Sequence, residues 1–329
     1  MRPPSKISAD TTNLPPSINP HSMTAMIIRS LCLLFCGFVL LTGCGRDSGD
    51  ASSAHVQTDD SQTANRYVTL APAMSQILID MGEQDQIVGI AQFDMTAAKD
   101  LPVVGNYLDI NTEKLLSLKP THVLMMTGKN GTPDSLKQLA KQFDFKLMAY
   151  AYPDTIADVN QIVAKMGVAL QMEEKAFAAG LKMQNQLVDL FNAVAEMDAV
   201  RVLPVIGTDP VMASGSNSVI DEMIRWIGAI NVAGNAPVSA PTYDREKLVT
   251  LNPDVILLLM PDAPALVDGL ADPRLSTFVD LPINAVKNKR IVLINDPLTF
   301  LPATTLPRIV RQIALAIDPQ LAETVSDAK

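Results

Sequence analysis

The sequence predicts an α/β protein with two Rossmann-like lobes joined by a single long helix, and a ligand cleft between the lobes. Three observations carry that prediction. Apolar strands alternate with helical segments before residue 171 and again after residue 199. The interval between them reads as one uninterrupted helix, and residues 111–126 are echoed in residues 244–259.

Residues 1–43 read as a signal peptide. An apolar run of eleven residues, Leu31–Leu41, follows Arg29. Roughly 18 to 20 apolar residues are needed to cross a bilayer as a helix, so this run is a signal-peptide core and not a transmembrane span. It ends in Leu41-Thr42-Gly43-Cys44, which resembles a bacterial lipobox and makes Cys44 the expected lipidation site. A natural start at Met23 or Met26 would give a more usual signal length. From Cys44 to Arg66 the chain is small, polar and without periodicity, as a flexible tether would be.

Residues 67–170 read as the first lobe. Tyr67–Leu70 and Ile87–Ile90 are short strands around a helix from Ala73 to Met81. Thr121–Met126 is a buried strand, Asp134–Phe143 a helix and Phe145–Tyr150 a strand. Residues 171–199 form the connecting helix. From Met172 to Met197 there is no proline, and Phe177, Leu181, Leu187, Leu190, Phe191 and Val194 recur at helical spacing. About 26 residues at 1.5 Å each would span roughly 40 Å. In the second lobe, residues 200–329, strands are expected at Arg201–Ile206, Asp254–Met260 and Arg290–Ile294, with helices at Ser218–Ile227 and Leu306–Ile317.

The echo is specific. NTEKLLSLKPTHVLMM and DREKLVTLNPDVILLL align without a gap and share Glu, Lys, Leu, Leu, Pro and Leu. Each copy starts on an Asn or Asp suited to capping a helix, stops before a proline, and runs into an apolar strand.

Composition narrows the function. A net charge of −9 with no basic run argues against a nucleic-acid partner, whose phosphates demand clustered Lys and Arg. Cys32, Cys36 and Cys44 are the three cysteines, so the folded part has no disulfide and no cysteine nucleophile. His21, His55 and His122 are the three histidines, too few in the body for a catalytic relay or a multi-histidine metal site. No Gly-x-Gly-x-x-Gly, Walker or Gly-x-Ser-x-Gly stretch occurs; Ser214-Gly215-Ser216 is a weak substitute and reads more simply as a helix-entry turn. An extracytoplasmic α/β enzyme using the cleft is the competing class.

Val68–Leu78, Gly105–Glu113, Leu118-Lys119-Pro120, Arg201–Gly207, Asp244-Arg245-Glu246 and Asn252-Pro253-Asp254 follow the lipobox and tether in an order that resembles an ABC-importer substrate-binding lipoprotein. The resemblance covers about residues 67–317. It is to the rigid-helix group that serves vitamin B12, haem and iron-siderophore uptake, nearest the B12-binding type. It implies a permease dimer with a cytoplasmic ATPase as partner, with Glu113 and Glu246 matching the acidic residue that each lobe offers to permease arginines. It implies a ligand held by loops at the carboxyl ends of the strands, where Phe93, Asn106, Tyr107, Asn130, Tyr152, Met212 and Tyr243 are the candidates. Tyr107 matches the place where B12-binding members put a stacking tryptophan, and haem-binding members carry an iron-ligating tyrosine one position away. Met212 stands where the B12 proteins have a second-lobe aromatic, and Ala240 matches a further tryptophan position. No arginine lies between Tyr67 and Val200, which disfavours an anionic siderophore. The expected function is thus a monomeric, exported, non-enzymatic carrier of a corrinoid, with haem or a ferric siderophore as alternatives. It needs no cofactor or metal of its own and is held at a membrane through Cys44.

Overall fold

A computed structural model describes residues 64–96, 100–106, 108–267 and 271–322. The expected signal peptide, Cys44, most of the expected tether and Tyr107 lie outside the described residues.

The first lobe runs β1 (Tyr67–Thr69), α1 (Pro72–Asp80), β2 (Ile87–Gly89), α2 (Thr112–Ser117), β3 (His122–Thr127), α3 (Asp134–Phe143) and β4 (Lys146–Ala151). Its strands form one parallel sheet in the order β2-β1-β3-β4. The central strand β3 is buried along nearly its whole length, as a parallel strand covered on both faces must be. Two helices follow, α4 (Ile156–Leu170) and α5 (Glu173–Ala193).

The second lobe runs β5 (Arg201–Thr208), β6 (Val211–Ala213), α6 (Val219–Trp226), β7 (Ile230–Asn231), β8 (Thr242–Tyr243), α7 (Arg245–Leu251), β9 (Val255–Leu259), α8 (Asn284–Lys287), β10 (Ile291–Ile294) and α9 (Leu306–Ile317). Its sheet has the order β10-β9-β5-β6-β8, with β7 also on β5. β10, β9, β5 and β7 are parallel, whereas β6 and β8 add an antiparallel edge.

The two echoed segments fold alike. Asn111 accepts a hydrogen bond from the Lys114 amide at 2.9 Å, and Asp244 accepts one from the Lys247 amide at 2.8 Å. Leu115 and Leu248 are fully buried beneath the two short helices. Lys119 and Asn252 both turn to positive φ, +47° and +40°, directly before their prolines, and β3 and β9 follow. Asn111→Ala and Asp244→Ala are each expected to cost about 1 kcal/mol in denaturant unfolding, the usual worth of such a cap. A cost confined to one of them would show the two units not to be energetically equivalent.

The connection differs in detail from the sequence expectation. The α5 helix has 21 residues, about 32 Å at 1.5 Å each. The predicted end at Met197 overshoots because Val194, counted in the helical spacing, is buried from the C-cap position itself. In addition α4, opened by a reciprocal Thr155–Asp158 capping box, lies antiparallel along α5. Both helices enter both hydrophobic cores. Ile162, Val163, Met166 and Leu170 of α4, with Ala176 and Ala179 of α5, pack against the first sheet. Ile156 and Val159 of α4, with Met183, Leu187 and Leu190 of α5, pack against the second.

Candidate functional site

Helices cover the faces of the sheets, so the open surface lies at the carboxyl ends of the strands. There a cavity of about 570 Å³ is walled by Leu70, Pro72, Ala91, Phe93, Met95 and Met126 on the first-lobe side and by Leu298, Phe300 and Leu301 on the other. A neighbouring cavity of about 300 Å³ is walled by Ile206, Ser218, Ile220, Met223 and Leu306. Tyr152 and residues 300–302 belong to both walls. The Tyr152 hydroxyl donates to the Phe300 carbonyl at 3.3 Å, linking the lobes across the cleft.

Phe93 is the most exposed aromatic wall, with 82% of its surface open and a backbone φ of +63°. A bulky residue adopts that conformation only where its surroundings hold it. Here the next residue is the anchor. Ser75 Oγ donates to one Asp94 carboxylate oxygen at 2.5 Å, and the Thr96 amide and hydroxyl donate to the other at 2.8 and 2.7 Å. Ser75 in turn bonds the buried Thr69 hydroxyl at 2.6 Å at the end of β1. The opposite wall is fixed in the same manner: Arg308 and Gln312 donate to Asp296 at 2.6 and 2.5 Å, and its second oxygen caps the Leu298 amide.

Asn106 lines the larger cavity, but its side-chain carbonyl accepts from the Leu108 and Asp109 amides at 2.8 and 3.1 Å and so shapes the turn. Gly105 before it has φ +100°, and a Cβ there would stand 2.1 Å from the Asp109 carbonyl, so the turn requires glycine. Tyr107 follows at once, outside the described residues.

Three candidates stand elsewhere. Asn130 is exposed on the turn closed by the Gly131 amide and the Gly128 carbonyl and lines neither cavity. Met212 sits in β6 and Tyr243 in β8, paired in the antiparallel edge, and Tyr243 packs against the second-lobe core. The sequence reading treated both as loop residues because such short strands leave no alternation to read. It also left out Met95, two residues beyond Phe93, and Leu301 and Ile220, whose apolar character is that of ordinary core.

The walls are electrically plain. Among the described residues, Asp154 is the only charged one lining either cavity. Burial pushes the Tyr67 phenol up to about 12, helped by the Glu83 carboxylate, and burial alone does the same for Tyr150. Tyr152 is half exposed as a residue, yet its ring end is desolvated and its phenol is also raised, as is that of Tyr243. None of these four is predisposed to act as a phenolate. Burial, and then the nearby Lys146, holds His122 below its ordinary range. Among the described residues no cluster of three or more His, Cys, Asp or Glu is placed to hold a metal ion, and no helix is long and apolar enough to cross a membrane.

A family model described as periplasmic binding protein matches residues 68–298. The vitamin B12-binding protein of Yersinia pseudotuberculosis serotype O:3 (strain YPIII) is 26% identical over 200 residues, which is 60% of this chain and 70% of that protein. Among solved structures, the periplasmic vitamin B12 binding protein BtuF of Vibrio cholerae is similar with a TM-score of 0.62 at 20% identity, covering 80% of this chain and 98% of its own. The periplasmic haem binding protein HutB of Vibrio cholerae is similar with a TM-score of 0.65 at 21% identity, covering 78% of this chain and 100% of its own.

Proposed function

The chain belongs to the periplasmic binding protein family, and on that footing we propose that it is the extracytoplasmic binding component of an ABC importer that captures a corrinoid of the vitamin B12 type. It passes the ligand to a permease dimer driven by a cytoplasmic ATPase and performs no chemistry on it. The observation that carries the reading is the cleft wall: two adjoining cavities, aromatic and aliphatic, with one charged side chain between them among the described residues. A corrin ring with neutral amide arms suits such walls, because burying its apolar area needs no compensating charge. The haem propionates and an anionic siderophore would each call for cations at the walls. The B12-binding names of the Yersinia relative and the Vibrio structure point the same way. Phe93, Tyr152 and Phe300 are proposed to hold the ring, with Tyr107 stacking at the rim and Asn106 shaping the turn that carries it. Glu113 and Glu246 are proposed to dock the permease, and Cys44 to carry the lipid that keeps a monomeric protein at the membrane.

The test is a parallel titration of the mature chain with cyanocobalamin, aquocobalamin and hemin, followed by calorimetry and visible absorption. Corrinoid binding with little response to hemin is expected. A hemin complex with a phenolate charge-transfer band, lost in Tyr107→Phe, would move the ligand to haem. Binding of neither would overturn the macrocycle reading. Phe93→Ala is expected to weaken cyanocobalamin about 10- to 100-fold, the loss of one buried aromatic face. Unchanged affinity would remove Phe93 from the site.

A further inference from the structure

The smaller cleft cavity, of about 300 Å³, differs from its neighbour in the polar groups at its wall. Asp154 stands there on a built mount. The Asp158 carboxylate accepts from the Asp154 amide at 3.3 Å and from the Thr155 amide and hydroxyl at 3.0 and 2.7 Å, which holds Asp154 one position ahead of the N-cap of α4. Its own carboxylate makes no hydrogen bond or ion pair among the described residues. No Lys or Arg among those residues lines the cavity to compensate it. The hydroxyls at the same wall have spent their protons inside the protein. Ser218 donates to the Gly215 carbonyl at 3.0 Å and accepts from the Asp221 amide at 3.1 Å, so in its 2.9 Å contact with Ser214 it is the acceptor and Ser214 the donor. Tyr152 donates to the Phe300 carbonyl. What Ser214 and Tyr152 still offer is lone pairs.

Asn217 and Ser239, exposed at the rim, accept as readily as they donate and so oppose neither kind of partner. The α6 helix starts at this wall, yet its first turn carries Asp221 and Glu222, which offset its positive end. A wall of acceptors with one uncompensated carboxylate complements hydrogen-bond donors and repels carboxylates. We propose that the smaller cavity receives an amide-bearing arm of the ligand, and that Asp154, with Ser214 and Tyr152 as further acceptors, selects such an arm over a carboxylate one. The proposal rests on the corrinoid reading and adds to it the place where the periphery of the macrocycle is recognised. A primary amide brings two N–H donors, whereas the same arm as a carboxylate brings none and a like charge. One hydrolysed arm therefore turns attraction at Asp154 into repulsion.

The experiment titrates the mature chain by calorimetry with cyanocobalamin and, separately, with its b-, d- and e-monocarboxylic acids, in which one propionamide arm is hydrolysed. At least one acid is expected to bind about tenfold more weakly than the amide, a loss between the bulk-water and protein-surface limits for like charges in contact. In Asp154→Asn that acid-to-amide ratio is expected to shrink to within about threefold, and in Asp154→Lys to invert in favour of the acid. Both changes fall on an exposed residue ahead of the helix cap, where the fold tolerates them. A parent that binds cyanocobalamin and all three acids alike overturns the proposal alone. So does a ratio that is the same in the parent and in both variants, since the discrimination then lies elsewhere. A parent that takes hemin in place of cyanocobalamin, or binds neither, overturns the corrinoid reading and this proposal with it.

Discussion

Glu113→Lys combined with Glu246→Lys is expected to reduce cyanocobalamin uptake to background in cells carrying the cognate permease, while the affinity of the purified protein for the ligand is unchanged. Both glutamates are exposed in the first turns of α2 and α7, at equivalent places in the two echoed units. A two-lobed protein on a two-fold permease presents one equivalent charge per half, and a charge reversed at such a contact replaces attraction with repulsion worth several kcal/mol. Two reversals therefore leave no productive orientation, and a loss of about 100-fold or more is expected. A bland role for each Glu also exists, because an acid in the first turn favours its helix by roughly 0.3–1 kcal/mol. The two roles separate cleanly. A helix-end role appears in the unfolding curve and spares transport, whereas a docking role appears in transport and spares ligand binding. Full uptake with both charges reversed would end the docking assignment.

Why the echoed units were legible and the cleft was not follows from the range over which each is determined. The units are local: Asn111 and Asp244 reach amides three residues on, and Pro120 and Pro253 bar further helix from inside the same segment. Strands β3 and β9 read as continuous apolar runs because both faces of a central parallel strand are covered. The helix α3 and the helix α9 fall on their expected residues for the same reason, a strong amphipathic period with clear ends. The helix α4 was hidden because its period is shared out between two cores: Ile156 and Val159 serve one, and Ile162, Val163 and Met166 the other. The short antiparallel β6 and β8 offered no alternation at all. At the cleft, the choice of Phe93 came from its place after a strand. What holds it, Ser75 and Thr96 on Asp94, spans about twenty residues of chain and two elements, and no sequence spacing encodes that. Tyr152 meets the Phe300 carbonyl from the other lobe, a contact that only the fold creates.

Gly167→Leu is expected to be the most damaging single change in the scaffold. Gly167 is buried in the last turn of α4, and a Cβ there would stand 2.4 Å from the Ala176 Cβ on α5. That neighbour has no rotamer to yield with, and the backbones of Met172 and Glu173 close the remaining space at 3.4 Å. Further along the same pair, a Cβ on Gly180 of α5 would come within 2.7 Å of the Asn160 side chain of α4, so the helices touch through small groups on both sides. Glycine inside a helix costs about 1 kcal/mol against alanine, a cost that close packing here offsets. Leucine would force the helices apart inside the first core, where Met166 and Leu170 of α4 pack beside Ala176 and Ala179 of α5. Overpacking of this kind costs typically 1–3 kcal/mol, and because the Ala176 Cβ at 2.4 Å cannot rotate away the upper figure applies. For a domain of this size about 3 kcal/mol lowers Tm by roughly 6–12 °C. Val168→Ala, one residue on and 65% exposed, is the control and should stay within about 0.5 kcal/mol of the parent. The two lobes should also melt in a single transition in the parent, since neither core is complete without both helices. A Gly167→Leu protein as stable as the control would show the seam between α4 and α5 to be loosely packed.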